Sequence, residues 1–146
     1  MTSLHRDPRA IEIGLAALTE LRELAPSLVF SAIVSDDGFE LAHAPQNSID
    51  VGRFGSMTSS VQALSDAVSR ELSIGSSGYV VIAAEAGHVL QLRVPGYPLI
   101  LAALFDTHEM LGKAISSSRR CVDSIVAMLD LISFQESPGS SITTHP

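Results

Sequence analysis

GYVVIAAEAGHVLQLRVPGYPLILAALF, residues 78–105, is the stretch that decides the fold. Three runs rich in Val, Ile and Leu are cut by Glu85-Ala86-Gly87 and by Pro95-Gly96-Tyr97-Pro98, which is turn chemistry, so the stretch predicts three β-strands in meander. The last run, Pro98 to Phe105, has no polar residue on either alternating face. It is expected as a central strand buried on both sides, with helices on both faces of the sheet.

Upstream, Pro8 can open a first helix over about Arg9 to Leu24, with Ile11, Leu15, Leu18 and Leu21 or Arg22 as its apolar stripe, and Pro26 stops it. Leu28 to Ser35 reads as a largely buried strand, Asp36-Asp37-Gly38 as a tight hairpin turn, and Phe39 to Ala44 as the returning strand, wetter at Glu40 and His43. From Val51 to Ser73 the period is that of a long helix, capped by Asp50, with Val51, Phe54, Met57, Val61, Leu64, Val68 and Leu72 as its apolar line. Its other positions are unusually small: Gly52, Gly55, Ser56, Ser59, Ser60, Ala63 and Ala67 would let a second backbone approach closely. After the meander, Asp106-Thr107 can cap a last helix from His108 to about Ile132, with Met110, Leu111, Ala114, Ile115, Cys121, Val122, Ile125, Leu129 and Ile132 as its stripe.

The order helix, two strands, helix, three strands, helix predicts an α/β (α+β) sandwich on a five-stranded antiparallel sheet. With the last strand central and the first beside it, the spatial order is 2-1-5-4-3. Helices one and three lie on one face and helix two on the other. The domain is expected over residues 9–134, between a flexible arm at 1–8 and a flexible tail at 135–146 that is rich in Ser, Thr, Pro and Gly. Strand three, Tyr79-Val80-Val81-Ile82-Ala83-Ala84, becomes an edge without Pro or Lys, which invites pairing with another chain. A symmetric dimer resolves it, with helix two meeting its twin through Ser56, Ser60 and Ala63.

Composition narrows the function. The chain has 146 residues, 46% of them apolar, a formal charge of -7 and only 9 Lys+Arg, which suits a cored single domain and argues against nucleic acid. No apolar run reaches the roughly 18 residues of a membrane span, and MTSLHRDPRA lacks the apolar core of a secretion signal, so a cytoplasmic protein with a protein partner is expected. One cysteine, Cys121, allows neither an internal disulfide nor a Cys-rich zinc site.

The order and spacing of these pieces resemble the roadblock/LC7 family, known from dynein light chains and from bacterial regulators of Ras-like GTPases. Ser31-Ala-Ile-Val-Ser-Asp-Asp-Gly-Phe-Glu-Leu41, Arg70-Glu-Leu-Ser-Ile-Gly75, and Leu99 to Phe105 followed by Leu111-Gly112 carry the resemblance, which spans about Arg9 to Leu131. It implies dimerisation through strand three and helix two, and a GTPase-binding role. In bacterial members that stand alone the dimer is thought to reposition the GTPase's own catalytic groups, so the resemblance carries no catalytic residue to this chain.

Chemistry-bearing groups give little else. Gly75-x-x-Gly78 and Gly112-Lys113 lack the spacing of a phosphate loop, and the first is more simply a helix stop. His5, His43, His88, His108 and His145 never pair at metal-ligand spacing, and no Gly-x-Ser-x-Gly elbow activates a serine. Ser116-Ser-Ser-Arg-Arg120 reads as a solvated helix face and Cys121 as a packing residue. No catalytic residue, cofactor or metal is expected. Arg53, Gln62, Asp66 and Arg70 are the polar positions of helix two expected to face a partner, although Arg53 and Arg70 are more simply read as keeping the helix soluble or pairing with Asp50 and Asp66. The expected function is a non-catalytic homodimeric regulator or adaptor that binds a small Ras-like GTPase and modulates its nucleotide cycle, as an activator included, or its placement. The alternatives are a dimerisation scaffold without effect on turnover, and a small-ligand sensor of profilin-like or PAS-like build.

Overall fold

The structure, a computed structural model, describes residues 3–45 and 49–144, and side chains as far as residue 133. Its elements are α1 (Pro8–Leu24), β1 (Leu28–Ser35), β2 (Glu40–Ala44), α2 (Val51–Glu71), β3 (Val80–Ala84), β4 (Gly87–Val94), β5 (Leu99–Phe105) and α3 (Leu111–Thr144). All five strands pair antiparallel in the order β2-β1-β5-β4-β3, as the sequence predicts.

β5 lies between β1 and β4 and is buried almost throughout, because every residue from Leu99 to Phe105 can be placed against apolar neighbours on one face or the other. Leu99, Leu101, Ala103 and Phe105 join Leu18, Leu21, Ile33, Leu90, Ile125 and Leu129 in the main core under α1 and α3. Ile100 points the other way, into a small core with Phe30, Ala32 and Val34, against which Val51 and Phe54 of α2 pack. β1 reaches both cores by alternation, with one bulge: Leu28 pairs with Phe105 and Phe30 with Leu104. Val29 is the extra residue and is left exposed.

The hairpin turn forms as expected. Gly38 sits at φ +90, which a side chain would resist, and the Ser35 amide donates to the Phe39 carbonyl at 2.7 Å. The Asp7 carboxylate caps α1 by accepting from the Arg9 amide at 2.9 Å. Residues 4–6, within the expected arm, form a 3-10 turn, with Leu4 against the main core and His5 stacked on Phe39 at 5.1 Å.

Three helix readings need correction. The buried face of α1 is Ala10, Gly14, Ala17, Leu18 and Leu21, whereas Leu15 is exposed; a Cβ at Gly14 would lie 3.1 Å from Leu41, so the helix is seated on its smallest residues. α3 starts at Leu111 rather than His108, because the Asp106 carboxylate accepts from the His108 amide at 2.8 Å and closes a turn instead of a helix cap. Met110, 77% exposed, and Leu111 therefore miss the buried stripe. The helical backbone of α3 also continues past Ile132 to Thr144; the expected flexibility of the tail concerns residues whose side chains, and for 145 and 146 whose backbone too, lie outside the described residues. The third correction, to α2, bears on function.

Candidate functional site

α2 buries only the start of the line that its sequence advertises, where Val51 and Phe54 pack on the small core. Its fully buried residues are Gly55, Thr58, Gln62 and Ser69, while Met57, Leu64, Val68 and Leu72 face outward, Leu64 at 66% and Leu72 at 62% exposed. The reason is how closely the helix approaches the sheet. A Cβ on Gly55 would stand 2.4 Å from the Gly38 carbonyl oxygen of the β1–β2 turn, so only glycine permits this seat. Farther along, Gln91 of β4 donates from Nε2 to the Thr58 carbonyl at 3.2 Å, and the Arg93 guanidinium donates to Asp66 at 2.7 Å and to Asp36 at 2.8 Å. Apart from the small core at its N-terminal half, α2 is held by polar contacts, which leaves its large apolar side chains for the outside.

β3 adds to that surface. It is hydrogen-bonded to β4 alone, so its other edge offers unpaired backbone groups. Pairing of Val80 with Gln91 and of Ile82 with Val89 puts Val80 and Ile82 on the α2 side of the sheet, and Val81, opposite Leu90, on the main-core side. Ile82 is 44% exposed, Ala83 and Ala84 are open, and Tyr79 lies under the Arg119 guanidinium at 5.8 Å. Ser56, Ser60 and Ala63 are exposed on α2. All the residues expected in self-association thus lie on the β3 edge or on the outer side of α2.

The four expected partner-facing residues divide. Arg53 and Arg70 are exposed; the Arg53 amide caps α2 on Asp50 at 3.1 Å. Gln62 is only 3% exposed and donates to Asp66 at 3.2 Å, and Asp66 is taken up by Arg93. Arg70 is next to a cavity of about 550 Å³ between the end of α2, the loop after it and β4, lined also by Asp66, Ser73, Gly75, Ser77 and Arg93. Gly75, at φ +88, and Ser73, at φ 53, turn the chain there, and Ser65 donates to Ser77 at 3.0 Å to hold the loop. Arg93 is the residue that sequence reasoning missed; its signal was its place as the one Lys or Arg in β4.

The reactive side chains are placed for packing. Cys121 donates to the Ala17 carbonyl at 3.5 Å; burial first, and the charge of Glu20 second, push its thiol up to about 12. Burial, and a hydrogen bond to Asp130 at 2.5 Å, raise Tyr97 above its ordinary value. Among the described residues no three His, Cys, Asp or Glu side chains converge as a metal site, and His145 lies outside those residues.

No family model and no curated protein matches the chain. Solved structures do. Myxococcus xanthus MglB superposes with a TM-score of 0.76 at 16% identity, over 82% of this chain and 90% of that one. The gliding protein MglB of Thermus thermophilus gives 0.71 at 18% identity, over 82% and 90%. A roadblock/LC7 domain from Streptomyces avermitilis gives 0.70 at 14% identity, over 76% and 92%. At these identities the likeness is one of fold: the chain has the roadblock/LC7 fold.

Proposed function

We propose that this chain, having the roadblock/LC7 fold, is a cytoplasmic, non-catalytic homodimeric member of the roadblock/LC7 family that binds a small Ras-like GTPase and modulates its nucleotide cycle or its placement. The observation that carries the reading is apolar surface that the single chain leaves uncovered: Met57, Leu64 and Val68 on α2, and Ile82 on the unpaired β3 edge. Pairing two β3 edges extends the sheet across the axis and brings two α2 helices together over it. Each large side chain covered in that way contributes on the order of 1 kcal/mol, and the backbone ladder sets the register. The fold that the chain has in common with the MglB structures, together with the resemblance of its hairpin and helix motifs to those of bacterial regulators of Ras-like GTPases, supports the choice of partner. No helix among the described residues is long and apolar enough to cross a membrane.

The dimer acts by contact. Arg53 and Arg70 lie on the exposed side of α2 and are the polar groups offered to the GTPase. The test is a pull-down from native cytosol with the full chain as bait, run with GDP and with a non-hydrolysable GTP analogue, followed by hydrolysis assays on the captured protein. A Ras-like GTPase held mainly in one nucleotide state supports a regulator, since only differential contact can shift a nucleotide cycle. Capture of other proteins, indifferent to nucleotide, replaces it with a scaffold.

A further inference from the structure

On the face of the sheet opposite α2, a groove of about 530 Å³ runs between α1 and α3. Ala16, Ala17, Met128 and Ile132 supply its apolar lining, and Glu12 and Glu20 stand on its α1 side. Ala16 and Met128 are exposed, although the core lies directly beneath them. Small residues at such a position let another helix come within the roughly 8–10 Å of close helix packing. The charge is one-sided as well. Arg9, at one end, is paired with Asp7 at 3.3 Å, whereas Glu12 and Glu20 have no ion pair among the described residues. These two carboxylates are spaced by about 12 Å along the helix axis at about 1.5 Å per residue.

We propose that this groove binds an amphipathic helix of a partner protein, whose apolar face covers Ala16, Met128 and Ile132 and whose two Lys or Arg residues, about two turns apart, meet Glu12 and Glu20. Apolar contact supplies the affinity, because exposed ion pairs contribute little; the carboxylates select the sign of the partner and its register. An acidic helix is repelled, and a second copy of this chain, with a net charge of -7, is a poor occupant. The groove lies on the other face from α2, so it stays open when the β3 edge and α2 are engaged.

The test is selection of a displayed library of amphipathic helical peptides, about 18 residues long with the charged positions randomised, against the full-length chain, with affinities then measured by fluorescence anisotropy. The expected winners carry Lys or Arg seven or eight positions apart beside the apolar face. They lose roughly tenfold in affinity on Ala16→Arg, and on Met128→Asp as a second variant, and several-fold on Glu12→Gln with Glu20→Gln, while the far-UV spectrum and solution mass stay unchanged. Failure to enrich any peptide, enrichment of acidic ones, or winners that bind both groove variants as tightly as the parent would overturn the proposal. GTPase capture by the same variants is expected to be unaffected, which separates this surface from the one on α2.

Discussion

Arg93 Nη2 lies 2.7 Å from Asp66 Oδ2, joining the C-terminal end of β4 to the C-terminal half of α2, and the same guanidinium reaches Asp36 in the β1–β2 turn at 2.8 Å. Three elements separate in sequence are thereby tied at one point. Beyond Val51 and Phe54, which pack on the small core, the inner face of α2 is small and polar, so this clamp and the seat of Gly55 hold the rest of the helix where apolar burial would do so elsewhere.

Removing the clamp should loosen α2. Arg93→Met is expected to cost about 1–2 kcal/mol, since both pairs are partly exposed, and the Arg93→Met/Asp66→Asn double variant should cost little more than the larger single change. Urea unfolding of the four proteins measures this. Fully additive losses would mean that the two residues act separately.

Gly55→Ala and Gly112→Ala should move stability in opposite directions. The first places a methyl 2.4 Å from the Gly38 carbonyl oxygen and is expected to destabilise by about 1–3 kcal/mol despite better helix propensity. The second meets nothing within 4 Å and should stabilise by about 0.5–1 kcal/mol. Thermal melts of both variants decide it; a stabilised Gly55→Ala would contradict the close approach of α2 to the hairpin.

Self-association should depend on the β3 edge and the outer side of α2. Ile82→Lys and, independently, Leu64→Glu are expected to give a folded monomer, read as mass by light scattering with the far-UV spectrum as control. Both positions are exposed in the single chain, so neither change disturbs its core. An unchanged dimer mass in both variants would remove the proposed interface. If the GTPase site spans two protomers, the monomers should also lose GTPase capture.

Alkali should expose the cost of burying Cys121. Its thiol is pushed from 9.0 to about 12, so the folded chain holds its proton where the unfolded chain has released it. The stability tied to this proton is complete below pH 9 and is lost as pH rises toward 12. Tyr97, also raised, acts in the same direction, its contribution being lost as pH rises from the ordinary tyrosine value of 10.0 toward the raised one. Denaturation curves from pH 7 to 11 should fall less steeply for Cys121→Ala than for the parent, and a thiol reagent at pH 8 should label Cys121 only in denaturant. Rapid labelling of the folded protein would refute the burial argument.

Much of this architecture was legible in one dimension. Alternation in β1, unbroken apolar character in β5, and Gly with Pro at the turns depend on local stereochemistry and on which faces must be covered, so strand order and helix placement followed from them. The bare β3 edge was likewise a matter of counting strands. What only the tertiary structure decided is which side of α2 faces the sheet. Periodicity reports that a helix has an apolar line, but the near contact of Gly55 with Gly38, and of Asp66 with Arg93, turns the small polar side inward and leaves Leu64, Val68 and Leu72 outside. The same holds for Gln62, polar in sequence yet buried, and for Arg93, whose partners at positions 36 and 66 no local pattern could have joined. Local stereochemistry acts between neighbours along the chain; these contacts depend on packing among distant segments, which only the folded chain brings together.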